Sequence, residues 1–596
     1  MDEIIRVNDP RRADIRFQDG ALPHLRGVKS FQILRCNRKH PECADDIGWT
    51  YNHAAMIAHA YGYYFCEYLS NPVDEHETPG HTMLTRSRDG QHWEKPVLIF
   101  PEVMVPTWQY KGPRSPMLQD PHPTCAHQRM GFYQAKNGVL LALAFYGLVH
   151  DRHLSAPCDG WGVGRVVRRI LPDGTPAEGI YFLIYNEPAG YTSENINVFP
   201  AYTASPDAEF VDACRECLGN GAVVRQMYEE QRFDKTLFPN PAAQALSFYT
   251  VSEDEMIGVY KKGMVAVSHD QGKTWSDCEK QPTIITATGK VWGQRTSDDR
   301  YTLMYNPTTD GQHRWPIAAV TGEDGHHFGD MSAVTGDMSP QRYGGIDKNL
   351  GPQYMRGIAE CNEQSPDGDV WLAYTNNKED VWVSRIPVPL THEGATEGSL
   401  TLCKGELPAE LGVYAPVWCP VEAEDGSLLL CDRDPYDHAR AEVATARATR
   451  GTIRFTVDIA ALSDGAAFTF EVQDDTGRTP IRLVFKPDGT LYVRGDGRTD
   501  PWKSFPTGEK VPVEITFDCE SNRYIVRALG QEKNCGFSAA VDDLTRFRFM
   551  TKEVIPHLST DADCGKWGTK DMVLPGCEEP TEESVIRLSD VSWACR

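Results

Sequence analysis

The stretch Ser268-His-Asp270-Gln-Gly272-Lys-Thr274-Trp275 decides the fold. Its spacing describes a tight turn between two strands. The Asp carboxylate accepts hydrogen bonds from backbone N–H groups of the turn, the glycine takes a conformation closed to other residues, and the tryptophan packs between sheets. A shorter version, Ser87-Arg-Asp89-Gly90-Gln-His-Trp93, lies upstream, and a degenerate one, Glu323-Asp324-Gly325-His-His-Phe328, lies downstream. The last two aspartates, Asp270 and Asp324, are about 50 residues apart, one generous four-stranded repeat. Ser365-Pro-Asp367-Gly368-Asp-Val-Trp371 fits the short pattern too, but it falls where an inner hairpin is expected and reads as a coincidental turn.

Around these turns, from about residue 50 to 390, short apolar runs alternate with Gly, Asp and Asn, the pattern of many short antiparallel strands. AAMIAHA, YYFCEYLS, HTMLTRS and PVLIFP make a first repeat, and similar sets continue through VWVSRIP. Five repeats are visible, with room for one or two more. The expected fold is therefore all-β, a β-propeller of five to seven blades over residues 1–395, with the N-terminal strand KSFQILRC closing the ring. A stretch near 205–235 reads as an inserted helical segment. After IPVPL at 386–390 the texture changes: residues 396–596 carry strands such as TIRFTVDIA and VPVEITFD broken by Asp-Gly turns, which predicts an appended, jelly-roll-like β-sandwich. The charge-rich segment 431–437 reads as an interdomain salt-bridge cluster, with a carboxylate metal site as the alternative.

The 596 residues carry a formal net charge of −24 without a long acidic run, which disfavours nucleic acid or an anionic membrane as a partner. Neither a long apolar run nor a signal-peptide pattern appears, so the sequence reads as cytoplasmic as given, or secreted or periplasmic if a signal was trimmed. The 17 cysteines are scattered within strand-like runs and read as reduced, buried thiols. Cys214-x-x-Cys217 has no second ligand pair nearby and reads as core packing. No cofactor is required by this reading. Asp-rich loops are compatible with a structural Ca²⁺, but no ligand loop is evident.

In a propeller, ligands meet the innermost strand of each blade at the ring centre, so polar residues on those strands are the candidates. Asn52-His53 starts the first, and the imidazole suits a general base or acid. His127-Gln128-Arg129 precedes the second. Arg165 and Arg168 are three apart in a strand and so face opposite ways. Tyr185-Asn186-Glu187 offers a carboxylate. Trp292, Gln294 and Arg295 lie on a fourth inner strand, the first two on one face. Tyr354 and Arg356 share a face of the fifth, which Glu360 ends. The expected catalytic residues are His53, His127, Glu187, Tyr354 and Glu360. Asn52, Gln128, Arg129, Arg165, Trp292, Gln294, Arg295 and Arg356 are expected to bind substrate, and no metal ligands are assigned.

The three turns, the blade texture and the arginines make the region from about 30 to 390 resemble the sialidase-superfamily propellers with Asp-box, or BNR, repeats. That resemblance implies a carbohydrate-active enzyme. In the family, three arginines bind the substrate carboxylate; here they would be drawn from Arg129, Arg165, Arg295 and Arg356. A Tyr activated by Glu is the family's nucleophile, beside an Asp acid. The family's Arg-Ile-Pro signature near the N-terminus is missing, and no Asp-bearing loop can be matched residue by residue. A looser resemblance is to propeller hydrolases and lyases that cleave rhamnose from glucuronic acid. The expected function is an exo-acting glycoside hydrolase that removes a terminal sugar from an acidic oligosaccharide. Its carboxylates would come from Glu67, Glu187, Glu229, Glu230 and Glu360. The alternatives are a lyase acting at a uronate, with His53 or His127 as base and Arg129 or Arg356 neutralising the carboxylate, and a non-catalytic carbohydrate-binding propeller.

Overall fold

The computed structural model describes residues 3–75, 77–107, 121–149, 161–228, 246–345, 347–358, 365–553 and 572–596, and of residues 127–130 the backbone only. Four sheets stand as separate blades. The first comprises Tyr51–Ala60, Tyr63–Asn71, His81–Ser87 and Val97–Phe100. The second runs His122–Gln134, Leu140–Leu148, Gly162–Ile170 and Tyr181–Tyr185, with Met104–Val105 on its inner edge. Ser247–Ser252, Glu255–Val259, Met264–Ser268 and Glu279–Lys280 form the third; Trp292–Arg295, Tyr301–Tyr305, Ile317–Gly322 and His327–Thr335 form the fourth. A fifth blade is built from Pro352–Gly357, Val370–Asn376 and Asp380–Ile386, and its outer strand is the N-terminal Lys29–Leu34, antiparallel to Asp380–Ile386. Five blades are thus found among the described residues.

The 268–275 turn owes its shape to bonds made within eight residues. Ser268 Oγ receives the Gly272 N–H at 2.8 Å and donates to Asp270 Oδ1 at 2.9 Å, while Thr274 N–H donates to the same oxygen at 2.8 Å. The Thr274 hydroxyl donates to Asp270 Oδ2 at 2.6 Å, and these Thr274 bonds hold the Asp270 carboxyl down to about 2. The Trp275 indole N–H closes on the Gly272 carbonyl at 3.0 Å. The turns at Asp89 and Asp324 repeat the carboxylate-to-backbone pattern. All three join the third and fourth strands of a blade, whereas the 365–371 turn joins the first and second.

Gly272 sits at φ +83°, and a Cβ there would lie 2.7 Å from Ala222 Cβ on the neighbouring helix. Gly272→Ala therefore combines backbone strain with a steric clash, and an expected loss of about 1–3 kcal/mol would be read as a lower unfolding midpoint in denaturant. That helix, Gly221–Tyr228, follows Ala208–Gly219, whose N-terminus is capped by Asp207 through the Phe210 N–H. Cys214 and Cys217 face inward with Phe210 against Tyr133, Leu141 and Leu143. Burial pushes the Cys214 thiol up to about 12, which fits an inert core position.

The outer strand of the last blade has two partners. Beyond the antiparallel strand of its own blade, Lys29–Leu34 pairs in parallel with Leu411–Ala415, so the blade runs without a break into one sheet of the C-terminal sandwich. That sheet faces a second one centred on Arg450–Ala461 and Ser584–Cys595. Between them lies an aromatic core in which Phe455 packs 4.8 Å from Phe470 and 5.1 Å from Phe549. Around 431–437 the carboxylates serve the junction: Arg35 pairs with Asp434 at 2.9 Å and stacks on Trp418, and the Ser339 hydroxyl donates to Asp437 at 2.7 Å. Among the described residues no helix is long and apolar enough to cross a membrane.

Candidate active site

Three inner strands share a device that alternation does not reveal. Tyr51–Ala60 loses register between His53 and Met56, His122–Gln134 between His127 and Gly131, and Pro352–Gly357 between Gln353 and Arg356. Each is a bulge that bends the strand and re-aims its side chains. Two hold a residue in the left-handed region, Ala54 at φ 55° and Tyr354 at φ 60°. For a tyrosine this conformation is strained, which points to a constraint imposed by its surroundings.

Those surroundings come from three other blades. The His53 ring of the first blade lies 4.2 Å from the Tyr354 ring, centroid to centroid. Lys290, just ahead of the fourth inner strand, sets its ammonium 4.0 Å from the Tyr354 centroid. The Lys261 ammonium of the third blade is 5.1 Å away, and the Arg314 guanidinium 5.6 Å. Arg314 is held by bonds to Gln353 Oε1, the Gly311 carbonyl and Thr288 Oγ1. Tyr354 is 6% exposed, and its hydroxyl makes no hydrogen bond among the described residues.

Electrostatics decides the ionisation of this ring. Burial alone would raise the Tyr354 phenol, but Lys261 and Arg314, aided by Lys378, outweigh it and hold the phenol below its usual range. Tyr51, without such cations as its dominant neighbours, is pushed up by burial and then by Glu75. His53 is pushed well down by burial, with Lys378 adding to the effect, and stands neutral; its Nδ1 pairs with the Thr375 hydroxyl at 2.9 Å. Lys378 pairs with Glu75 at 2.6 Å.

The sequence candidates divide accordingly. Tyr354 and His53 come together. Asn52 is spent on structure, its amide donating to the Trp49 and Glu379 carbonyls. Trp292 and Gln294 bond each other at 2.8 Å on one face, as alternation predicts. Tyr354 and Arg356 do not share a face: the bulge separates them, and Arg356 donates to the Leu246 carbonyl and lies over Trp292. Arg295 is half exposed and ion-paired with Asp299 in the following turn. Arg165 is buried on the third strand of its blade, over Phe145. Glu187 is exposed on a short helical turn. Glu67 is wholly buried, and burial pushes its carboxyl well up. The side chains of His127, Gln128 and Arg129, and all of Glu229, Glu230 and Glu360, lie outside the described residues. Sequence reading missed Lys261 and Lys290, and it noted Arg314 after the fourth inner strand without giving it a role; the one available signal for Lys290 was its nearness to Trp292.

The described residues thus form a five-bladed propeller with a polar centre, fused to a β-sandwich. Residues 3–244 match the family model of the BT_1020-like N-terminal beta propeller, and residues 412–564 match that of the sialidase-like CBM domain. The chain is thus similar to a BT_1020-like beta propeller in its N-terminal part and to a sialidase-like CBM domain in its C-terminal part. A solved structure described as a sialidase superposes over 100% of this chain with a TM-score of 0.92 at 32% identity. This chain covers 54% of it, spanning about half the length of that relative. The Trypanosoma rangeli sialidase is a distant likeness, at 10% identity and a TM-score of 0.34, with 95% of this chain and 96% of that one covered. No curated protein matches the chain.

Proposed function

We propose that the protein is an exo-acting glycoside hydrolase that removes a terminal sugar from an acidic oligosaccharide, with Tyr354 as its nucleophile. The observation that carries this reading is the Tyr354 phenol, strained at φ 60° and set among Lys261, Lys290 and Arg314. In a chain of net charge −24, such a concentration of cations matches an anionic ligand. The same charges stabilise a phenolate. Its oxygen attacks the anomeric carbon, the bond to the aglycone oxygen breaks, and that oxygen takes a proton from water. The hydroxide so formed attacks the glycosyl-tyrosine at the anomeric carbon, and the phenolate departs, so that one water is consumed overall. His53, fully enclosed against the ring, orients Tyr354 and exchanges no proton with solvent.

A second reading is β-elimination at a uronate, favoured by the His53–Tyr354 pairing beside cations. Incubation with a panel of acidic oligosaccharides and aryl glycosides separates the two: the hydrolase releases a saturated sugar, and a lyase releases an ultraviolet-absorbing unsaturated one. No product with any acidic glycoside would leave the carbohydrate-binding propeller as the better reading. Arg314 gives a further prediction. Arg314→Ala is expected to raise KM for an acidic substrate about 10–100-fold, the value of one or two charge-assisted hydrogen bonds, with a smaller effect on a neutral aryl glycoside; equal effects on both would contradict anion recognition by this group.

A further inference from the structure

The Arg314 guanidinium reaches the Tyr354 ring from a loop, and the backbone of that loop is tied to the strand that carries the tyrosine. The Arg314 N–H donates to the Leu350 carbonyl at 2.9 Å, and the Leu350 N–H donates to the Gln312 carbonyl at 3.0 Å. The Asn306 amide joins the two segments again, donating to the Arg314 carbonyl at 3.0 Å and to the Pro352 carbonyl at 2.9 Å. A Cβ at Gly351, whose φ is +93°, would lie 2.6 Å from the Arg314 carbonyl oxygen, so glycine lets the two chains approach this closely.

Fixing the backbone does not fix the guanidinium, because an arginine side chain keeps several rotatable bonds beyond its Cα. Three acceptors take that freedom away. Nη1 donates to Gln353 Oε1 at 2.7 Å, Nε to the Gly311 carbonyl at 3.2 Å and Nη2 to Thr288 Oγ1 at 3.2 Å. Thr288 is exposed, and Gly311 belongs to the same loop as Arg314. The Gln353 bond is the shortest of the three and is buried, a setting in which a bond from a charged donor is strong. Gln353 is itself clamped. Its Nε2 donates to the Asn349 carbonyl at 2.8 Å, and its backbone pairs with Thr375 on the last regular rung before the bulge that turns Tyr354.

We propose that Gln353 is a positioning residue that holds the Arg314 guanidinium over the Tyr354 ring and thereby sets the affinity for the acidic group of the substrate. This rests on the reading of Tyr354 and Arg314 as the substrate site. Gln353 and Tyr354 are consecutive, so the cation is held by the same short stretch of backbone that carries the ring it faces.

Two variants test it. Gln353→Met keeps the length of the side chain and removes the acceptor, and Gln353→Asn keeps an amide but draws it back by one methylene. Each is expected to raise KM for an acidic glycoside about tenfold, with kcat changed by less than about threefold and a smaller effect on a neutral aryl glycoside. In an Arg314→Ala background the same variants are expected to add little, because the group they position is gone. A second readout needs no substrate: tyrosine ring-carbon NMR across pH, compared with Tyr354→Phe, isolates the Tyr354 ionisation. Since Arg314 lowers that ionisation, both Gln353 variants are expected to move it to higher pH, and to leave it unmoved once Arg314 is alanine. A folded Gln353 variant with unchanged KM and unchanged Tyr354 ionisation, or effects that add in full to those of Arg314→Ala, overturns the proposal. An ionisation that responds to Gln353 only while Arg314 is present, in a protein that turns over no glycoside, supports the positioning role and counts against the hydrolase instead.

Discussion

Tyr354→Phe is expected to reduce turnover of an acidic glycoside by on the order of 1,000-fold or more, the range seen when a nucleophile is removed, with the fold retained. The substitution deletes one oxygen. The ring keeps its packing on His53 and its cation contacts with Lys261, Lys290 and Arg314, and no hydrogen bond among the described residues is lost. Loss of rate with unchanged circular dichroism and unfolding midpoint would therefore be chemical. Turnover within a few-fold of the wild-type rate would remove Tyr354 from the mechanism.

Arg342→Met carries the largest expected effect on stability. Arg342 donates to the Cys36 carbonyl at 2.8 Å and pairs with Asp380, both side chains being 2% exposed. Asp380 also accepts from Gln32 at 2.9 Å and from the Cys36 N–H at 3.1 Å, so the pair knits the last hairpin of the ring to the N-terminal strand that completes it. Burial alone would lower the Arg342 guanidinium, but Asp380 and its neighbours hold it well above its usual range. Removing the cation leaves a buried carboxylate with its charge unbalanced, an expected loss of about 3–5 kcal/mol. Denaturant unfolding followed by tryptophan fluorescence reads it. Arg342→Met together with Asp380→Leu is expected to be less damaging than Arg342→Met alone; equal destabilisation would mean that the ion pair is not the source.

What the sequence disclosed depended on the range of the interactions. The 268–275 turn was legible because its serine, aspartate, glycine and threonine bond one another within eight residues. The sandwich strands were legible from period-two alternation. The blade number was left open because the interval from Asp89 to Asp270 holds a long second blade and a helical pair, which spacing alone cannot distinguish from an extra blade. At the ring centre, alternation placed Tyr354 beside Arg356, and a bulge, invisible in the pattern, turned them apart. The cations around Tyr354 were given no role for a different reason. Lys261, Lys290 and Arg314 come from loops of two blades, and their convergence on a residue of a third is a property of the closed ring. Of the arginines expected from the strands, Arg165, Arg295 and Arg356 make contacts elsewhere; two lysines and a loop arginine surround the phenol.

The most direct test of the account is the stereochemistry of the first-formed product, followed by proton NMR during cleavage of an acidic glycoside of known anomeric configuration. A covalent glycosyl-tyrosine requires two displacements at the anomeric carbon, so the account predicts net retention. An inverted product, or an unsaturated sugar with no new anomeric centre, would contradict it.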